Sequence, residues 1–153
     1  MARLDHRPFS WRDDPGVPDI PDDRTVLVVD GDCALCSWGA RTIARADPGD
    51  SFRITPMQSD AGRALMAHFG LDPHDPCSWL ALVDGCALTG SDAVIEVGRR
   101  LRGGWPVLAR AAGWLPRPLR EWAYRLVARN RRRWFGRGDL CGVDEPELQA
   151  RLF

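Results

Sequence analysis

Asp30-Gly31-Asp32-Cys33-Ala34-Leu35-Cys36 joins two segments whose residue types favour different backbones. The β-branched run Thr25-Val26-Leu27-Val28-Val29 precedes it, and a helix-like pattern from Trp38 to Ala46 follows. Two thiols three residues apart therefore fall where a strand turns into a helix. With one cysteine in the first turn and its partner three residues on, the sulfurs face each other closely enough to close a disulfide. Unpaired amide N–H groups and the positive end of the helix dipole favour a thiolate on the first thiol. Cys33 is thus the expected nucleophile and Cys36 the expected resolving thiol.

Two plainer readings compete with redox chemistry. A pair at this spacing is also half of a zinc site, with His74, Cys77 and Cys86 as donors for the other half, and it also suits two inert buried thiols. The context favours redox, because the pair opens a helix while the remaining cysteines are scattered. No metal is therefore expected. Five cysteines leave at least one thiol unpaired, and Met1 to His6 lacks an apolar core behind its charge, so a cytoplasmic location is expected. No run approaches the roughly 18 apolar residues of a spanning helix, which restricts any membrane role to a peripheral one.

A chain of 153 residues suits one domain with additions. Residues 1–24 hold Pro8, Pro15, Pro18 and Pro21 among many charges and read as an extension, a disordered leader or a strap pinned by Phe9 and Trp11. A core over 25–102 follows. Thr25–Val29 is a strand, the helix after Cys33 stops at Asp47-Pro48-Gly49-Asp50, and Ser51–Thr55 alternates as a second strand. Ser59 caps a helix bearing Ala61, Leu65 and Phe69, closed by Gly70. Trp79–Val83 is an apolar run suited to a central strand, Asp84-Gly85 marks a hairpin, and Cys86–Thr89 returns. Gly90-Ser91-Asp92 then caps a helix carrying Val94, Val97 and Leu101. The order β-α-β-α-β-β-α is that of an α/β, thioredoxin-like fold. That fold usually places a cis-proline before its third strand, for which Pro76 is the candidate.

Residues 103–153 form a helical appendix and tail. One helix opens at Trp105-Pro106, and a second runs from Pro116 to Asn130 with Leu119, Trp122 and Leu126 on one stripe. The net charge of zero hides an asymmetry: residues 99–137 carry 12 arginines against the single acid Glu121. Basic residues interleaved with tryptophans are compatible with nucleic acid or with anionic lipid. Acids in the cysteine turn argue against a continuous groove for nucleic acid, and a solvated helix with Trp134-Phe135 facing the core satisfies the same pattern.

Three further residues carry chemistry. Asp30, at a strand end beneath the thiols, is placed either to take a proton from Cys36 or to cap the turn amides. Ser91 and Asp92 in Thr89-Gly90-Ser91-Asp92 resemble the segment with which glutaredoxins hold the γ-glutamyl end of glutathione at a helix N-terminus, and they also suit an ordinary cap.

Asp30-x-x-Cys33-x-x-Cys36, together with Arg133-Trp134-Phe135-Gly136 and Cys141, resembles the DCC family of predicted thiol-disulfide oxidoreductases. The likeness spans roughly Val26 to Cys141. It implies that Asp30, Cys33 and Cys36 form the active-site motif and that Arg133–Gly136 is a family signature. The expectation is a dithiol-disulfide oxidoreductase of the protein-disulfide reductase type, needing no bound cofactor and acting on protein or small-molecule disulfides. The alternative is a non-catalytic binding module, stabilised by zinc or tethered to a membrane or nucleic acid through the arginine-rich region.

Overall fold

β1 (Thr25–Val29) is buried along its whole length, and alternate residues feed two separate cores. The computed structural model describes residues 4–72, 74, 75, 77, 79–142 and 144–153. β1 runs parallel to β2 (Phe52–Pro56), with Leu27 opposite Ile54, and antiparallel to β3 (Leu80–Val83), with Leu27 opposite Ala81. β4 (Cys86–Leu88) pairs antiparallel with β3, completing a sheet ordered β2-β1-β3-β4. This is a thioredoxin-like α/β sheet, covered on both faces.

Leu27 and Val29 point toward α1 (Ala34–Ala46) and α3 (Gly90–Arg100), where Ala40, Ala44, Ala93 and Val97 are buried. Val26 and Val28 point the other way, toward Leu65 and Met66 of α2 (Asp60–His68). The N-terminal segment completes that second face: Trp11 and Ile20 are buried, and the Phe9 amide donates to the Gly85 carbonyl at 2.9 Å. Asp84 and Gly85 both have positive φ, as a tight two-residue hairpin requires. A Cβ on Gly85 would lie 2.4 Å from the Phe9 ring, so that position excludes any side chain.

The Ser59 hydroxyl accepts from the Gly62 amide at 2.9 Å and caps α2 as expected. α3 differs. Its N-cap is Thr89, without a side-chain cap, and the Ser91 hydroxyl and amide both donate to Glu121 instead. The proposed cis bond falls on Pro76, outside the described residues.

α4 (Trp105–Trp114) and α5 (Arg117–Phe135) form the appendix. α5 continues five residues past Asn130, because arginine is a good helix former and is favoured near a helix C-terminus. Gly136, at φ 81°, ends it. The stripe Leu119, Trp122 and Leu126 faces solvent, and Trp134 and Phe135 are half-exposed rather than core-facing. The inward face is carried by Tyr124, Ala128 and Arg131, spaced four and three residues apart. Among the described residues, no helix is long and apolar enough to cross a membrane.

After α6 (Pro146–Gln149) the chain returns to the sheet edge. The Ile54 amide donates to Arg151 O at 2.8 Å, and Thr55 Oγ1 donates to Phe153 O at 2.8 Å. The Arg151 guanidinium is buried against the fully buried Asp47 carboxylate, with Nε 3.2 Å from Oδ2. Removing one partner of such a pair strands the other charge. Arg151→Met is therefore expected to lower stability by roughly 3 kcal/mol, read from urea unfolding; a change within about 0.5 kcal/mol would show that the tail does not support the sheet edge.

Candidate redox site

The site begins where β1 ends. Asp30 is buried at 2% exposure, and both its oxygens are occupied. Oδ1 accepts from Gln58 Nε2 at 2.9 Å and from the Asp32 amide at 3.1 Å. Oδ2 accepts from Arg131 at 2.7 Å and Arg132 at 3.0 Å. Burial alone would raise the Asp30 pKa, but the Gln58 and Arg132 hydrogen bonds, the Asp32 amide and the Arg131 charge together hold it below the usual carboxylate value. A carboxylate saturated by four donors is a weak proton acceptor. Its geometry suits the turn-capping role and the orientation of arginine, rather than proton abstraction from Cys36.

Arg131 connects this carboxylate to the thiols. One guanidinium nitrogen reaches Asp30 and another donates to Cys36 Sγ at 3.1 Å. Cys33 is the N-cap of α1, and its sulfur accepts from the Cys36 amide at 3.4 Å. The Cys33 pKa is lowered to about 6, first by the hydrogen bond from the Cys36 thiol and then by the Cys36 and Leu35 amides and the Arg131 charge, against the opposing effect of burial. Cys36 is shifted up, because it gives that hydrogen bond to Cys33 and is itself desolvated. The pair thus readily carries one thiolate charge, centred on Cys33.

Accessibility is distributed the other way. Cys33 is 0% exposed, whereas Cys36 is half-buried. The cause is a strip of chain after α5 that crosses the cysteine turn. The Ala34 amide donates to Gly136 O at 3.4 Å, the Gly138 amide to Asp32 O at 3.1 Å, and the Leu140 amide to Gly31 O at 3.0 Å. Arg137 forms a β-bridge with Cys33. A Cβ on Gly138 would lie 2.7 Å from Ala34 Cα, so only glycine allows so close a crossing.

Cys36 instead lines a groove of about 290 Å³ between α1, α3 and α5, with Trp38, Ile43, Val97 and Tyr124 among its walls and Arg131 beside the sulfur. Larger hollows, of about 540 and 710 Å³, lie along the N-terminal segment and do not include the thiols.

Ser91 and Asp92 are not joined to this pair. Ser91 Oγ donates to Glu121 Oε2 at 2.8 Å, and Asp92 is paired with Arg117 and Arg120. The α3 N-terminus, where glutathione would place a carboxylate, already holds the carboxylate of Glu121. Cys77 is half-buried, with its thiol shifted up by burial; Cys86 sits on β4 and Cys141 is exposed. No three His, Cys, Asp or Glu side chains among the described residues are grouped to hold a metal ion, so the set containing His74, Cys77 and Cys86 does not form.

Arg131, Arg132, Gln58 and Glu121 are the functional neighbours that sequence reasoning missed. A helix that ends at Asn130 places Arg131 within the basic run that follows it. The signal available was its place seven residues after Tyr124 and three after Ala128, on one helix face. Within the signature 133–136, the Gly136 carbonyl is what meets the cysteine turn.

A dithiol at the start of the first helix of such a sheet defines a thioredoxin-like redox protein. The family model described as DCC1-like thiol-disulfide oxidoreductase matches residues 27–137, and the chain belongs to that family. Among curated proteins, it is 34% identical over 127 residues to an uncharacterised protein, YuxK, of Bacillus subtilis (strain 168), covering 83% of this chain and 92% of the relative. It is 32% identical over 120 residues to a chloroplastic DCC family protein of Arabidopsis thaliana, covering 78% of this chain and 70% of the relative. No solved structure matches.

Because the Cys33 pKa is lowered, the thiolate forms as pH rises through about 6 and is lost below it. Ultraviolet thiolate absorbance of the reduced protein should titrate with a midpoint near 6, and Cys33→Ser should remove that transition. A first thiolate appearing only at the ordinary thiol value would contradict the geometry.

Proposed function

We propose that the chain exchanges disulfides with polypeptide substrates through Cys33 and Cys36, as a dithiol-disulfide oxidoreductase of the protein-disulfide reductase type. The observation that carries this reading is Arg131, buried and shared between the Asp30 carboxylate and the Cys36 sulfur. A fixed cation beside one sulfur of a pair whose other sulfur has a lowered pKa stabilises negative charge on either member as exchange proceeds. In the reducing direction, the dithiol and a substrate R–S–S–R′ become the Cys33–Cys36 disulfide, R–SH and R′–SH. Two electrons pass from the protein to the substrate, and both protons end on the products. Asp30 acts as a positioning residue, holding Arg131 and the Asp32 amide.

Mild oxidation is expected to link Cys33 to Cys36, detected by peptide mapping, and both Cys33→Ser and Cys36→Ser should lose turnover of an insulin-type disulfide with a dithiol reductant. A dominant bridge to Cys77, Cys86 or Cys141, or full turnover in either variant, would reject this function.

A specific observation favours an additional, peripheral role for the appendix. Trp114 is 92% exposed and Trp122 62%, within the arginine-rich stretch 99–137. Exposed tryptophans flanked by arginines suit the interface of an anionic bilayer. The protein should co-sediment with vesicles containing phosphatidylglycerol, release with rising salt, and lose binding in Trp114→Ser/Trp122→Ser. Salt-sensitive binding to duplex DNA with none to vesicles would assign the patch to nucleic acid instead.

A further inference from the structure

The groove beside Cys36 is the cavity that contains a reactive sulfur, and its lining is chemically narrow. Trp38, Ile43, Val94, Val97, Trp105 and Val127 supply apolar walls, half-exposed Val94 marks its rim, and Trp38 flanks it at 52% exposure. Its polar groups are mostly turned away: the Thr42 hydroxyl donates to Trp38 O and the Tyr124 hydroxyl to Cys77 O. Its one charged wall residue, Arg131, is already engaged by Asp30 Oδ2 and by Cys36 Sγ. A lining whose one charge is so engaged suits an uncharged group. The volume, near the lower limit for ligand pockets, suits a side chain rather than a cofactor. A trough open along its rim suits a peptide segment.

We infer that this groove binds an uncharged aromatic or branched side chain flanking the disulfide-bonded cysteine of a polypeptide substrate, and that the mixed disulfide forms on Cys36. The inference rests on the exchange function proposed above and adds a substrate class and a point of entry. Attack at a disulfide sulfur requires an in-line approach, and Cys36 has groove space beside it while the strip 136–140 crosses over the turn at Cys33. Cys36 passes its proton along their hydrogen bond to Cys33 and attacks R–S–S–R′, forming Cys36–S–S–R and expelling R′–S⁻. The proton ends on the R′ sulfur. The restored Cys33 thiolate then attacks Cys36 Sγ, closing the Cys33–Cys36 disulfide and releasing R–S⁻. Arg131 stabilises the Cys36 thiolate while it exists.

The test uses the full chain, above neutral pH, with two otherwise identical peptide disulfides whose cysteine is flanked by Phe or by Asp. Mass spectrometry of the intact protein reads the trapped adduct. Cys33→Ser should accumulate an adduct on Cys36, and Cys36→Ser should accumulate far less. Trapping should be about tenfold faster with the Phe peptide, as expected when a buried apolar contact replaces a buried unpaired carboxylate. That ratio should collapse toward one in Cys33→Ser/Val127→Glu and, as a second variant at the half-exposed rim, in Cys33→Ser/Val94→Glu. Glutathione disulfide should behave like the Asp peptide.

A dominant adduct on Cys33 in Cys36→Ser overturns the inference and leaves the exchange function standing. Equal rates for the two peptides overturn the substrate class, as does a preference seen with an apolar small-molecule disulfide and absent with peptides. Absence of any adduct overturns the inference; if the wild-type protein also fails to turn over, the function falls with it.

Discussion

A guanidinium keeps its charge at any pH a folded protein tolerates, so burying one commits the surrounding structure to answering it. Arg131 is answered by Asp30 on one side and by the Cys36 sulfur on the other. Its Nε has no hydrogen-bond partner among the described residues, so the two terminal nitrogens carry the whole interaction. Through them, the middle of the sheet, the cysteine turn and α5 are held as one unit. The position of α5 then decides where Gly136 falls, and hence where the following strip crosses the thiols. The enclosure of Cys33 is therefore downstream of an ion pair more than a hundred residues apart in sequence.

What could be read from the sequence was what local spacing encodes. The strand entering the cysteine pair, the capped α2 and the antiparallel Asp84-Gly85 hairpin follow from period, turn chemistry and capping within a few residues. The appendix was harder because α5 carries apolar groups on more than one face. Leu119, Trp122 and Leu126 make the more conspicuous stripe, yet Tyr124, Ala128 and Arg131 face the protein. Periodicity reports that a stripe exists and is silent about what covers it. The same limit hid Arg131, whose role depends on a partner on another element, and it hid the reversed accessibility of the two thiols.

The N-terminus of α3 shows how an appendix can change the chemistry of a fold. Amide groups at a helix start attract carboxylates, and Glu121 supplies one from within the chain. Asp92, beside it, is taken by Arg117 and Arg120. Residues that resembled a ligand site are thereby turned into the joint between core and appendix.

The crossing strip also has a consequence for synthesis. A growing chain displays Cys33 and Cys36 early, while the residues that close over the turn, Gly136 to Leu140, are added a hundred or more positions later. Until they arrive, the β1–α1 unit presents both sulfurs without its cover, and the Arg131 cation that charges the site is also absent. The dithiol is thus built as an uncovered pair whose own turn already favours the Cys33 thiolate, and it gains its cover and the Arg131 cation only as the last quarter of the chain docks, so that control of access is a late product of folding.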